Sequence, residues 1–264
     1  MSGLLFWRGK RIPVIVLHGM IAPRIGQLSL RAVAPLIDKA FAAARKGHVI
    51  LDIDSPGGSP VQSDLIARLI RRRAEKAEAT VHAVIGDLGA SGGYWIACAA
   101  DRIHANPMSI VGSIGVRGGG FGFPALLARI GIERRLHTAG AHKARLDPFL
   151  PETADDVAFT RDLLDALHER FKDWVRERRA GRLAADEAAL FDGGFMLGAQ
   201  AVAAGLIDGL ADVDALVAEL GGEKARPRVL RPRPPGLLHR LPLLAIEAAV
   251  DVAEDRAARS MLRP

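Results

Sequence analysis

Val81-His82-Ala83-Val84-Ile85, with Gly89-Ala90-Ser91-Gly92-Gly93-Tyr94 close behind it, is the stretch on which the fold turns. The first run is apolar but for one histidine and reads as a buried strand. The small–small–Ser–Gly–Gly sequence then lets the backbone turn sharply, and its glycines remove the side chains that would keep a substrate from the serine. A plain turn with Ser91 capping the next helix accounts for the same residues. The apolar segment Gly92 to Ala100 follows.

Upstream, Val49 to Ile53 reads as another strand, stopped by Ser55-Pro56-Gly57-Gly58, and Val14 to Leu17 as a first, closed by His18-Gly19. Ser29 to Arg45 has helical periodicity behind a capping serine, and Ser59 to Ala77 reads as an amphipathic helix with a basic outer face at Arg71, Arg72 and Arg73. Downstream, strands are expected at Arg102 to Ala105, Ile110 to Val116 and Glu133 to Thr138. Helices are expected near Pro124 to Ile130 and from Thr153 to Arg179. Strands alternating with helices, the strands almost continuously apolar, predict an α/β protein: a mainly parallel sheet covered by helices.

At 264 residues, 49% hydrophobic and 25% charged, the composition is that of a globular protein able to bury a large core. The single cysteine, Cys98, excludes an intramolecular disulfide and lies in an apolar run, where a packing role is expected. Residues 222–240 carry six cations (Lys224, Arg226, Arg228, Arg231, Arg233, Arg240) against Glu223, which accounts for most of the formal net charge of +6. The body is therefore near neutral, which argues against nucleic acid as a partner and for a local basic patch. No run approaches the roughly 18 apolar residues that cross a bilayer, and no targeting segment is evident, so a cytoplasmic protein is expected. With four prolines in 222–236, that stretch reads as an extended linker between a domain at 1–221 and a C-terminal amphipathic helix or tail at 237–264. The tail is a candidate for peripheral contact with anionic lipid at the inner face of a membrane, or with a neighbouring subunit.

A strand ending in Pro56-Gly57-Gly58 leaves consecutive amides able to point at one spot, as an oxyanion hole requires, though a simple turn explains it too. Because this motif and the Ser91 motif follow neighbouring strands, both should open on one edge of the sheet. A serine hydroxyl needs a base, and a neutral lysine amine can serve. Lys143, between Gly140-Ala141 and Asp147-Pro148-Phe149, is the candidate, although an exposed lysine is the ordinary reading of such a position. Burial, or a nearby cation such as Arg145, would favour its neutral form. None of the eight histidines sits in a motif tied to Ser91. The glycine-rich Arg117 to Gly122 lacks the Lys-Ser/Thr end of a phosphate loop and reads as a loop bordering the cleft. Neither paired cysteines nor ligand-spaced histidines suggest a metal.

Over about residues 12 to 220 the chain resembles the signal peptide peptidase A/SohB family of serine–lysine peptidases, whose domain has the ClpP/crotonase-like fold. The resemblance rests on Asp54-Ser55-Pro56-Gly57-Gly58, Gly89 to Tyr94, Val111-Gly112-Ser113-Ile114-Gly115-Val116, the Lys143 segment, and Gly198-Ala199-Gln200-Ala201 through Gly205-Leu206-Ile207-Asp208. It implies that Ser91 is the acylated nucleophile, Lys143 the general base and Ser113 a serine that orients the lysine. It also implies that Gly58 and Gly92, with Gly57 the near alternative, supply the oxyanion donors, and that no cofactor is used. The implied activity is an endopeptidase cleaving signal-peptide remnants or membrane-protein fragments, assembled as a ring-like homo-oligomer. Three departures from the family are expected: no anchor of the kind common at the N-terminus, one catalytic domain where the longer members have a duplicated one, and His142 beside the lysine, where an aromatic residue is frequent. Two other classes stay open: a crotonase-type acyl-CoA enzyme, and a non-catalytic scaffold partnering a membrane stomatin-like protein.

Overall fold

In the computed structural model, which describes residues 10–232, the first apolar run is β1 (Arg11–His18), and Leu30–Ala43 forms α1 behind the cap of Ser29, whose hydroxyl accepts from the Ala32 amide. β2 (His48–Ser55) leads to α2 (Pro60–Ala77), capped by Ser59, and then to β3 (Thr80–Ala90) and the short α3 (Gly92–Ala97). β4 (Arg102–Ala105), β5 (Ile110–Gly112), α4 (Pro124–Arg129) and the long α5 (Ala154–Arg178) follow. The chain continues through α6 (Glu187–Leu190), β6 (Phe195–Leu197), α7 (Gly198–Ala203), β7 (Gly209–Leu210), α8 (Val213–Gly221) and β8 (Arg226–Leu230).

The sheet runs β6-β5-β3-β2-β1-β8, with β4 also on β3 and β7 on β4; every pairing is parallel except β5 with β6. Its strands are apolar on both faces because both faces are covered. Ile15, Leu17, Val49, Leu51, Ile53, Val81 and Ala83 meet the helices that carry Ile37, Ile66 and Ile70. On the other face Ile12, Val14, Ile50 and Val84 meet Leu216 and Val217 of α8. Each such buried side chain contributes about 1.5–3 kcal/mol.

β3 is long enough to serve two partners. Its residues His82 to Ile85 pair with β4 and its residues Leu88 to Ala90 with β5, so the sheet divides after Ile85. The register with β2 shifts at the same level, between Ile53 and Ser55. As expected from their adjacency, β2, β3 and β5 release their following loops on one edge.

The structure corrects several expectations. Residues 133–138 form no strand; they are exposed, without the two-sided cover that a parallel strand needs. The strand expected to reach Val116 stops at Gly112, where φ becomes 115°. The basic outer face of α2 is partly turned inward, Arg71 bonding Asp101 at 2.8 Å and the Ala99 carbonyl at 3.1 Å. Within the stretch expected as a linker, Arg226–Leu230 is instead strand β8, parallel beside β1, so the boundary at 221 cuts through the sheet. Pro227 is tolerated there because β8 is an edge strand, so its missing N–H breaks no ladder on the open side. Residues 237–264, expected as an amphipathic tail, lie outside the described residues. Among those described, no helix is long and apolar enough to cross a membrane.

Candidate active site

Three turns at the ends of β2, β3 and β5 build one cavity of about 610 Å³. Gly58 comes from the first, Ser91 and Gly92 from the second, Ser113 from the third, and α5 closes the wall with Leu167, His168 and Phe171. α5 is held over α3 by Trp95, whose ring lies 5.0 Å from Phe171 and whose carbonyl accepts the Trp174 indole N–H at 3.0 Å. Its start is fixed by a reciprocal cap between Thr153 and Asp156.

Ser91 occupies the cap position of α3, but its hydroxyl makes no cap bond. Its backbone stands at φ 52°, ψ −121°, a region that side chains rarely occupy and that costs about 1–3 kcal/mol. Ser113 also has φ 52°. The Ser91 amide donates to the Gly112 carbonyl and the Ser113 amide to that of Gly194 at 2.6 Å. Both unusual conformations are thus clamped from outside the residue.

Glycine is obligatory at the first turn. A Cβ on Gly57 would stand 2.6 Å from the Gly92 nitrogen and 2.8 Å from the Ser91 Cβ, and one on Gly58 would run into the Ile21 carbonyl. The Gly57 amide is already taken by Ser55 Oγ at 3.2 Å, and Gly57 is absent from the cavity lining. Among the described residues the amides of Gly58 and Gly92 donate no hydrogen bond, and both glycines line the cavity with Ser91. These two are backbone donors left unengaged in the lining.

Lys143 is not brought to this cavity. It lies in an exposed turn region, 139–147, and lines neither the Ser91 cavity nor a second one of about 430 Å³ formed by the neighbouring loops. That region is anchored elsewhere. Arg145 pairs with Asp155 and Asp156 at the start of α5 and stacks 4.3 Å from the Phe159 ring centroid, and Asp147 pairs with Arg134 at 2.8 Å. His142 Nδ1 lies 3.1 Å from Arg145 Nη2, whose N–H it accepts, which ties His142 to this anchor.

Two features escaped sequence reasoning. His168 enters the Ser91 cavity, its Nε2 donating to the Ile114 carbonyl at 3.0 Å and bracing the turn that carries Ser113. Its place in a long charged helix gave no signal. Arg179, the next residue after α5, is 1% exposed and bonds Asp208 at 2.8 Å and the Gly205 carbonyl. Burial alone would raise the Asp208 pKa, but the Arg179 and Ile103 hydrogen bonds hold it below its ordinary value. Tyr94 Oη donates to the Leu206 carbonyl at 2.7 Å, so the Gly205 to Asp208 motif props the segment behind Ser91. Cys98 is fully buried, and burial pushes its thiol up to about 12, consistent with packing.

Known proteins resemble the chain along most of its length. It is 44% identical over 241 residues to the Na(+)/H(+) antiporter NhaA of Brucella abortus, covering 90% of this chain and 33% of that protein. It is 33% identical to the putative protease slr0021 of Synechocystis, over 76% of the chain and 70% of the relative. It is 35% identical to the probable protease SohB of Buchnera aphidicola, over 53% and 41%. The chain thus spans about a third of the antiporter and under half of the SohB protein. The model of peptidase family S49 matches residues 73–225, from the second half of α2 to the threshold of β8. With a match over more than half of its length and that Synechocystis relative beside it, the chain belongs to peptidase family S49.

Proposed function

We propose that this chain is a serine-type endopeptidase acting on extended peptides, with Ser91 as nucleophile and Lys143 as general base. The observation that carries the reading is Ser91 held at φ 52° beside the unengaged amides of Gly58 and Gly92, in a member of a peptidase family. Ser91 Oγ attacks the peptide carbonyl carbon while its proton passes to the Lys143 amine. The oxyanion accepts from Gly58 and Gly92, donors each worth about 3–4 kcal/mol when measured by removal. The C–N bond then breaks, the leaving amine takes the proton from Lys143, and water deacylates Ser91 by the same route. Ser113 orients the lysine.

Since Lys143 does not line the Ser91 cavity, the mechanism needs the amine from a second copy. A homo-oligomer, ring-like in the simplest closed arrangement, supplies it. The exposed Phe121, Ile130 and Ile132 of the intervening segment give such a neighbour an apolar surface. The family match favours peptide over acyl-CoA chemistry.

The substrates proposed are remnants of signal peptides or fragments of membrane proteins. A site of action at the inner face of a membrane is supported by two Brucella relatives named as antiporters, in which the similar stretch is 33% of the chain. The exposed Arg226 and Arg231 at the β8 edge suit anionic lipid. Those relatives equally favour a second reading, a non-catalytic role beside a membrane protein.

The test is hydrolysis of an unstructured protein by wild type, Ser91→Ala, Lys143→Ala and an equimolar mixture of the two variants. Each single variant should be inactive, and the mixture should recover part of the activity through hybrid sites. Full activity in either variant overturns the dyad. Inactive variants that never complement overturn its assembly across subunits. A cellular role that survives Ser91→Ala favours the scaffold.

A further inference from the structure

The lining of the Ser91 cavity mixes two chemistries. Met20, Trp95 and Phe171 are apolar members of it, while Arg117, on the loop after β5, and Arg170, on α5, are cationic members of the same lining. Among the described residues neither arginine has an ion-pair or hydrogen-bond partner. The cations that follow on α5 and at its end behave differently: Lys172, Arg176 and Arg178, and Arg179 just after the helix, are all paired with carboxylates. The one acidic group in the lining, Asp192, has Oδ1 turned onto the Gly194 amide at 2.6 Å. The lining therefore carries two cations without acceptors against one carboxylate engaged by its own loop.

We propose that Arg117 and Arg170 are specificity-determining residues, and that the cleft selects peptides in which an apolar side chain is accompanied by a carboxylate. The proposal rests on the peptidase reading given above. An apolar residue packs against the apolar members of the lining, Met20, Trp95 and Phe171. A carboxylate alongside it meets guanidinium groups whose forked donors match its two oxygens. The carboxylate can come from an Asp or Glu side chain or from the free C-terminus of a peptide fragment. An amide of the same shape offers one acceptor and no charge, so it loses the interaction while keeping the packing.

The experiment measures binding, so that recognition is separated from turnover. Fluorescently labelled peptides are titrated against the full-length Ser91→Ala protein, with Glu exchanged for Gln beside the apolar residue in one arm and an acid exchanged for an amide at the C-terminus in the other. At least one carboxylate form should bind about fivefold or more tightly than its amide, as expected for exposed charges paired with two guanidinium groups. The arm that responds identifies the source. The preference should shrink towards unity in Ser91→Ala carrying Arg117→Gln or Arg170→Gln, and at high salt. Equal binding in both arms, or a preference that survives both arginine substitutions, overturns the proposal. A preference that is present while the Ser91 protein cleaves none of the peptides sustains the recognition and overturns only the hydrolytic reading.

Discussion

The amide of Ser91 donates to the carbonyl of Gly112 across 2.9 Å. This bond ties β3 to β5 at the point where each strand leaves the sheet, one into Ser91 and the other into Ser113. Both serines are held at φ 52° on either side of it. The strained backbone of Ser91 is therefore held against β5 by this bond, and that of Ser113 by its own amide bond to the Gly194 carbonyl.

If that is so, Ser91→Gly should be more stable than wild type. Removing the Cβ relieves about 1–3 kcal/mol of backbone strain and gives back about 0.5–1 kcal/mol through the flexibility of the unfolded chain. A net gain of about 1 kcal/mol in urea unfolding is expected, with no hydrolysis. A loss of stability would mean that the conformation at Ser91 is not strained.

Gly57→Ala should remove activity although Gly57 donates nothing to the cavity. Its new Cβ meets the Gly92 nitrogen and the Ser91 Cβ and would displace both. Gly119→Ala is the control, because φ there is also positive, at 144°, but nothing lies within 4 Å. Both variants pay backbone strain, and only Gly57→Ala should lose turnover by a factor of about 100, the effect of misplacing reacting groups by an ångström. Comparable kcat/KM in the two variants would contradict the close approach.

Arg179→Met should destabilise the fold by about 3–5 kcal/mol, because Asp208, with its carboxylate 8% exposed, would remain charged without its main partner. Adding Asp208→Asn should restore part of the loss. Urea midpoints of the single and double variants measure the coupling, and additive effects would exclude it.

Acid should weaken the protein from the second sheet face. His82 is buried between His48, 3.2 Å away, and His104, whose ring centroid lies 6.0 Å from its own. Burial first, and then these neighbours, lowers its pKa from 6.5 to about 4. The unfolded chain takes up a proton that the folded chain refuses between those values, so stability rises with pH through that window and falls on acidification. The cost is at most about 1.4 kcal/mol per pH unit. Thermal midpoints between pH 6.5 and 4 should fall, and His82→Gln should flatten the fall. A slope unchanged by His82→Gln would place the acid sensitivity elsewhere.

Much of this molecule is local, and the sequence determined it. Hydrophobic runs bounded by Ser29, Ser59 and Thr153 define strands and capped helices because periodicity and capping act within a few residues. Ser91 and the Gly57-Gly58 turn could be placed on one edge of the sheet because parallel neighbouring strands must end together. Proline content alone could not show that Arg226 to Leu230 completes the sheet, since an edge vacancy beside β1 is a property of the assembled fold. The inward turn of Arg179 and the entry of His168 into the Ser91 cavity were equally invisible, because partners separated by 29 and 54 residues leave no local pattern. Lys143 marks the boundary between the two kinds of knowledge. Its residue type and flanks make it a candidate base, but only the packing of the 139–147 region against α5 decided that its own chain does not bring it to Ser91. A side chain's chemistry is written in one residue; its distance from another depends on every contact in between.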